Sequence, residues 1–173
     1  MTFEDLYHTQ EYRTPLLKMP IEATGSKQWL GDGYYFWQDY EFAQWWGTTK
    51  KCKPKNISRK YSVFKATIIC DEDDFIDTVF NEEDYRNFVH AIERFAKSYV
   101  KQFHKKPNLV EFNDFIFDKK LWQNIRVIRF QDIPENDNLI SVDGYYYKKR
   151  IQFRVTDTDN IVNFVHDDCF HCI

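Results

Sequence analysis

Apolar residues recur along this chain with two spacings, one typical of helices and one typical of strands. Between residues 82 and 103 they return every three or four positions, as at Phe88, Ile92 and Phe95, which predicts an amphipathic helix. A short helix is predicted after Asp39, which is a favourable N-cap residue, with Gly47 at its end. A third helix is predicted over residues 112–122.

Alternating or continuous apolar runs predict strands near both ends of the sequence. These runs cover residues 3–8, 34–37, 61–70, 125–130, 151–155 and 161–164. Residues 75–77 are expected to form one helical turn, and residues 71–74 an acidic turn. Strands at both ends with helices between them predict an α+β domain around a mostly antiparallel sheet. A length of 173 residues favours a single domain over residues 1–173.

Composition narrows the class of protein further. Aromatic residues make up 18% of the chain, so some rings are expected to contact a ligand as well as the core. A net charge of −3 excludes a global basic field, so a nucleic acid would need a local basic patch. The acidic N-terminus lacks the pattern of a signal peptide, and we expect a cytoplasmic protein without a membrane span.

The cysteines and the C-terminal histidines raise the question of a disulfide or a metal. In a reducing compartment Cys52, Cys70, Cys169 and Cys172 are expected to be free thiols. Residues 166–172 contain Cys, His and Asp side chains, but they crowd at a terminus without a familiar ligand spacing. A frayed tail is therefore favoured there over a metal site.

Three short segments could carry chemistry. The first is Leu6-Tyr7-His8-Thr9, the second runs from Gly25-Ser26 through Gly31-Asp32-Gly33 to Tyr35, and the third is Ala43-Gln44-Trp45. Glycines beside an aromatic strand allow a ligand to approach the backbone closely. Taken singly, the segments are equally typical of a loop histidine, a tight hairpin and ordinary core packing.

Together these segments resemble the nicotinamide-pocket motifs of ADP-ribosyltransferases of the His-Tyr-Glu class. That class includes the poly(ADP-ribose) polymerases and the diphtheria-type toxins, whose pattern is a His strand, then Gly-x-Gly-x-Tyr-Phe, then a second aromatic. Tyr35 falls on the motif tyrosine and Trp45 on the second aromatic. The resemblance implies a split antiparallel β-sheet with flanking helices and NAD as the co-substrate. Residues 75–145 match no part of the family pattern.

The third family motif would lie at Gln152-Phe153-Arg154-Val155-Thr156-Asp157, followed by Ile161. Two positions depart from the pattern, since Gln152 stands where the family has its catalytic glutamate, and Thr9 where many members have glycine. A glutamine can hydrogen-bond a ribose hydroxyl, but it supplies no charge and cannot act as a base. This difference argues against chain elongation and for transfer of a single ADP-ribose.

The resemblance also implies a role for each residue. His8, Tyr35 and Gln152 are the predicted catalytic residues. The predicted NAD-binding residues are His8, Thr9, Gly25, Ser26, Gly33, Tyr35 and Trp45. His8 would bind the adenine-side ribose, while Tyr35 and Trp45 would enclose the nicotinamide ring. A base, if one is needed, would come from Glu111, Asp143 or Asp157.

The acceptor is predicted from the segment before the third motif. Tyr145, Tyr146, Tyr147, Lys148 and Lys149 suit base stacking and phosphate contact, and residues 50–60 form a second basic patch. RNA or DNA is therefore slightly favoured over protein as the acceptor. In its small size the chain resembles those members of the family that act as toxins in toxin–antitoxin and anti-phage systems. Such toxins have a neutralising antitoxin partner. The alternatives are a non-catalytic module that binds ADP-ribose, NAD or nucleic acid, and an NAD hydrolase.

Overall fold

The strand segments at the two ends of the chain pair into one sheet. A computed structural model describes residues 1–25, 28–52, 59–118, 124–132 and 149–172. In chain order the strands are β1 (Thr2–Glu11), β2 (Tyr34–Trp37), β3 (Lys60–Ile69), β4 (Phe75–Asp77), β5 (Val127–Gln131), β6 (Ile151–Val155) and β7 (Ile161–His171). Their spatial order is β4-β5-β6-β2-β1-β3-β7. All neighbours run antiparallel except β4 and β5, so the predicted α+β class and mostly antiparallel sheet are confirmed.

The junction between β1 and β2 is the weakest pairing in the sheet. Among the described residues these strands share one residue pair, Tyr7 with Trp37, whereas β1 and β3 are paired from Thr2 to Glu11. The sheet thus consists of two half-sheets, β4-β5-β6-β2 and β1-β3-β7, which meet at this junction.

The main core lies where the half-sheets face each other. The Phe3 ring on β1 lies 4.9 Å from the Phe75 ring and 5.0 Å from the Phe153 ring, both of which belong to the other half-sheet. The buried members of this core are Leu6, Phe36, Ala66, Ile68, Cys70, Val127, Ile151, Phe153, Val155 and Ile161. Burial of these apolar side chains is the driving force that holds the half-sheets together.

A short helix, α1 (Tyr40–Trp46), follows β2. It begins after Asp39 as predicted, although no hydrogen bond joins the Asp39 side chain to the first turn. The helix ends at Trp46 with Gly47 as its C-cap, as predicted, but Gly47 has a helical φ of −56° and the chain continues through a π-helical turn, Gly47–Lys51. The glycine is needed for space instead, since a Cβ there would lie 2.1 Å from the Tyr61 ring.

Two helices cover the β4–β5 end of the molecule. The predicted long helix is confirmed as α2 (Glu82–Phe103), which Asn81 caps by accepting hydrogen bonds from the amides of Glu83 and Asp84. The next helix, α3 (Leu109–Asp118), begins earlier than predicted. Asn108 and Glu111 explain its start, because each side chain accepts a hydrogen bond from the other's backbone amide.

Residues 75–77 do not form the predicted helical turn. They are strand β4, which pairs in parallel with β5 through Phe75–Val127 and Ile76–Ile128. The acidic residues 72–74 before it form a turn of 3-10 helix. Such a short strand has no periodicity of its own, so its conformation depends on a neighbour fifty residues away.

The C-terminal residues correct two expectations. They do not fray, because β7 extends to His171 and pairs with β3 along its length. Cys52 and Cys172 form a disulfide, while Cys70 and Cys169 are free, so the expectation of four free thiols is wrong. No group of three metal-ligating side chains occurs within the described ranges. Likewise, no helix in the described part is long and apolar enough to cross a membrane.

Candidate functional site

His8 lies on β1 at the junction of the half-sheets. Its Nδ1 is 2.9 Å from the backbone carbonyl of Tyr35, and because a carbonyl only accepts, Nδ1 carries the proton and donates. Burial lowers the pKa of His8 from 6.5 to about 4, although the hydrogen bond to Tyr35 and the nearby Gln10 and Glu11 raise it. The ring is therefore neutral near pH 7.

The second nitrogen of this ring is an unused acceptor. His8 Nε2 is buried and has no hydrogen-bond partner among the residues that the structure describes. The side-chain amide of Gln10, which is near this ring, donates a hydrogen bond to the Glu11 carboxylate. A buried lone pair without a donor costs free energy, so this atom favours a ligand that brings a hydroxyl or an amide.

Tyr35 on β2 is held at both its backbone and its hydroxyl. The hydroxyl donates to the carbonyl of Gly31 at 2.6 Å and accepts from the amide of Leu30 at 3.2 Å. Its ring meets Phe130 edge to face, with centroids 6.2 Å apart. Burial raises the pKa of Tyr35 to about 12, so the hydroxyl stays protonated and acts in positioning.

Trp45 is fixed by packing on α1. Thr9 anchors the helix, since its hydroxyl donates to the carbonyl of Ala43 at 2.7 Å. The Trp45 ring meets Trp37 edge to face at 6.2 Å, and the guanidinium carbon of Arg150 lies 4.4 Å from its centroid. This is a close cation–π contact, which holds the indole over the end of β6.

Gln152 lies on β6 and is only 9% exposed. In the sheet it stands opposite Trp37 on one side and Phe130 on the other. No protein hydrogen bond engages its side-chain amide in the part of the chain that the structure describes. Because strand residues alternate between faces, Gln152 shares its face with Arg150 and Arg154.

The two arginines beside Gln152 are site residues that the sequence analysis missed. Arg150 is 2% exposed and forms an ion pair with Asp132 at 3.1 Å. Arg154 donates from Nε and Nη2 to the carbonyl of Asp32, at 3.0 and 2.8 Å. The alternation Arg-Ile-Gln-Phe-Arg-Val at residues 150–155 was the available signal, since it places three polar side chains on one face of an otherwise buried strand.

The three motif strands are neighbours in the sheet, but their side chains are not all on one face. The order β6-β2-β1 places Gln152, Tyr35 and His8 on consecutive strands. By alternation, Tyr35 and Gln152 share a face, whereas the His8 ring packs on the opposite side, 5.5 Å from the Phe36 ring. His8 reaches Tyr35 at the open part of the junction, through the backbone carbonyl.

The loop before β2 is shaped by its glycines. Ala23 and Gly33 exchange backbone hydrogen bonds of 2.8 and 3.1 Å. A Cβ at Gly33 would lie 2.8 Å from the Val155 carbonyl oxygen, so this position lies tightly against β6. The amide of Gly25 donates to the Asp32 carboxylate at 2.8 Å. Ser26 lies outside the described residues.

The predicted acceptor residues are described only in part. Tyr145, Tyr146, Tyr147 and Lys148 lie outside the described residues, whereas Lys149 is exposed with its ammonium 5.6 Å from the Phe80 ring. Of the second basic patch, residues 53–58 are likewise outside the description, and Lys51 is paired with Glu11 at 3.4 Å.

The candidate bases have structural contacts. Glu111 forms an ion pair with Lys105, and that hydrogen-bonded partner lowers the pKa of the Glu111 carboxyl from 4.5 to about 2. Asp157 accepts a hydrogen bond from the amide of Asp159 and caps a turn of 3-10 helix. Asp143 lies outside the described residues.

The comparisons with known proteins assign no family. No family model matches the chain, and no solved structure matches it. A segment of 57 residues, 33% of this chain, is 30% identical to an uncharacterized protein of Methanocaldococcus jannaschii. The chain spans 27% of the length of that relative. Functional inference therefore rests on the geometry of the β6-β2-β1 region.

Proposed function

We propose that this protein is an NAD-dependent mono-ADP-ribosyltransferase with a split-sheet transferase fold. The observation that carries the proposal is the adjacency of β6, β2 and β1, because these strands hold Gln152, Tyr35 and His8, the three family-motif residues. Gln152 follows Tyr35 by more than a hundred positions, so only tertiary pairing brings the motifs together. The near-open β1–β2 junction supports a cleft between half-sheets.

Several residues of the site offer contacts that NAD needs, with His8 on the opposite face of the sheet from Tyr35 and Gln152. His8 Nε2 is an unpartnered acceptor that suits a ribose hydroxyl. Tyr35 and Trp45 are aromatic and held in place, and offset stacking on a nicotinamide ring contributes about 0.5–1.5 kcal/mol per ring pair. Arg154 adds a guanidinium on the face of the sheet that carries Tyr35 and Gln152. Its positive charge favours an anionic pyrophosphate.

The chemistry proposed is cleavage of the bond between nicotinamide and ribose, with transfer of ADP-ribose to a macromolecule. Gln152 would hydrogen-bond the ribose through its carboxamide but supply no negative charge. Positive charge that develops on the ribose is then stabilised less than by a glutamate, which fits a single transfer to a good nucleophile. RNA or DNA is the favoured acceptor class, with protein as the second candidate and an antitoxin as the partner of a toxin-like role.

The test uses purified protein with NAD that is labelled in the adenylate part. Total RNA, DNA and cell protein are supplied as separate acceptor pools, and free nicotinamide is measured in parallel. We expect nicotinamide release and label retained in one pool. Tyr35→Ala is expected to abolish both, because it removes the aromatic wall, and Gln152→Ala to reduce them sharply.

Matched controls separate the site from general damage. Tyr85→Ala removes an exposed tyrosine from α2, and Gln102→Ala removes an exposed glutamine from the same helix. Both are expected to keep full turnover. Unchanged turnover in Tyr35→Ala would refute the pocket assignment, and unchanged turnover in Gln152→Ala would show that the third motif lies on another strand.

A second candidate function is favoured by one feature, the amide at position 152 in place of a carboxylate. It is a non-catalytic module that binds NAD or ADP-ribose. Calorimetric binding of ADP-ribose without nicotinamide release would support this module and refute the transferase. Nicotinamide release without label in any pool would instead indicate an NAD hydrolase.

A further inference from the structure

A large apolar groove lies between α2, α3 and the loop before β2, apart from the strands that carry His8 and Gln152. Its volume is about 950 Å³, within the range of ligand pockets. Its lining is apolar along most of its length, with Leu30, Phe88, Ile92 and Val100 among the walls. Trp29 also lines it and is 40% exposed.

Among the described lining residues, the cations lie at one end of this groove. Lys97 and Lys101 stand one turn apart near the C-terminal end of α2, and Lys106 follows in the loop to α3. None of the three has an ion-pair partner among the described residues, in contrast to Lys105, which is paired with Glu111. The opposite end, near Phe88, is apolar.

The position of the positive charge at one end of the groove indicates which kind of ligand fits. A peptide helix would meet charges along both rims of a groove, whereas here the charge stands at one end and the apolar walls continue from it. From Lys101 to Phe88 along α2 is thirteen residues, which is roughly 20 Å at the helical rise. A molecule with one anionic head group and a long hydrocarbon chain fits both features.

The helix itself is consistent with a ligand. Of the 22 residues of α2, Phe95 is the one that is fully buried, and its ring packs against Phe112 and Phe115 of α3. The described residues therefore cover the apolar side toward the groove only in part. Each methylene group that leaves water for this groove contributes about 0.8 kcal/mol, so a chain of several carbons gains affinity from burial alone.

We propose that the groove between α2 and α3 binds a long-chain carboxylate, with its head group at Lys97, Lys101 and Lys106 and its chain toward Phe88. The inference does not rest on the proposed transferase activity. Its walls include Leu30, whose amide donates to the Tyr35 hydroxyl, so the ligand would contact the loop that positions Tyr35.

The experiment titrates the full-length protein with dodecanoate, below the concentration at which dodecanoate forms micelles. Calorimetry and tryptophan fluorescence are recorded together. We expect saturable binding with one site per chain and a fluorescence change that Trp29→Phe diminishes. Dodecyltrimethylammonium has the same chain and the opposite charge, and we expect it to bind about tenfold more weakly.

Two variants locate the site. Lys101→Glu is expected to weaken dodecanoate binding about tenfold, because it replaces an attraction with a repulsion. Lys18→Glu, the same change at an exposed lysine outside the groove, is expected to leave binding unchanged. Ala96→Phe fills the groove and is expected to abolish binding, with circular dichroism to verify the fold.

Three results would overturn the proposal. They are the lack of saturable dodecanoate binding, equal affinity for the two detergent-like probes, and an affinity that Lys101→Glu leaves unchanged. Sedimentation velocity provides a further check. Concentration-dependent dimerisation that Ala96→Phe abolishes would show that a second copy of the chain occupies the groove instead.

Discussion

The buried histidine on β1 makes the stability of this protein depend on pH in a predictable direction. In the folded chain the pKa of His8 is about 4, whereas its ordinary value is 6.5. Between these two values the unfolded chain binds a proton that the folded chain does not. The free energy of unfolding therefore falls as the pH falls through this window, and the penalty is absent above about pH 7.

The size of the effect follows from the two pKa values. One unit of pKa difference corresponds to about 1.4 kcal/mol, so the limiting loss from His8 is about 3 kcal/mol near pH 4. At pH 5 the loss is about 2 kcal/mol. That is a large share of the stability of a typical domain, about 5–15 kcal/mol.

The test replaces the histidine with a side chain that cannot titrate. His8→Asn keeps an N–H donor near the position of Nδ1, so it can still donate to the Tyr35 carbonyl. Urea unfolding is measured for the parent and the variant from pH 8 to pH 4.5. We expect the parent to lose about 2 kcal/mol more than the variant by pH 5.

A second histidine serves as the control for this measurement. His90→Asn makes the same substitution at an exposed histidine of α2. Parallel pH profiles for the parent and His8→Asn would refute the assignment of a buried, neutral imidazole. So would a parent that becomes more stable on acidification through this window.

Three further substitutions test the fold and the site, each by thermal or urea unfolding. Cys52→Ser opens a disulfide between residues 120 positions apart and is expected to cost up to about 5 kcal/mol; reduction of the parent should give the same shift. Gly33→Ala places a Cβ 2.8 Å from the Val155 carbonyl oxygen and is expected to cost about 1–3 kcal/mol, more than Gly31→Ala, where no atom lies within 4 Å; equal costs would contradict the close approach. Tyr35→Phe removes the hydroxyl that accepts a hydrogen bond from the Leu30 amide and is expected to cost about 1–3 kcal/mol. An unchanged unfolding midpoint would refute the role of this hydroxyl in holding the loop before β2.

The elements that the sequence predicted best are those with their own periodicity and caps. The helix over residues 82–103 has an apolar side and an Asn81 cap, and both are local properties of its sequence. Strand β6 was also predicted with its bounds, because apolar and polar residues alternate over residues 151–155. For such segments the preference of the backbone and the burial of one face agree.

The elements that were missed depend on distant neighbours. Strand β4 forms because β5 lies beside it, and position 47 requires glycine because the Tyr61 ring occupies the space of a Cβ. The C-terminal strand is longer than its apolar pattern, since pairing with β3 and the link to Cys52 hold polar residues in extended form. Each of these contacts joins residues that are remote in sequence, and local patterns carry no record of them.

The same distinction between local sequence and distant contacts applies to the candidate site. The sequence by itself determined the α+β class, the long helix and the order of three motifs around His8, Tyr35 and Gln152. Tertiary structure alone decided that β6, β2 and β1 are neighbours, that the His8 ring faces away from Gln152, and that two arginines flank the glutamine. Residue spacing along one strand is set by the covalent backbone, whereas the choice of neighbouring strand is set by the burial and hydrogen bonding of the whole sheet.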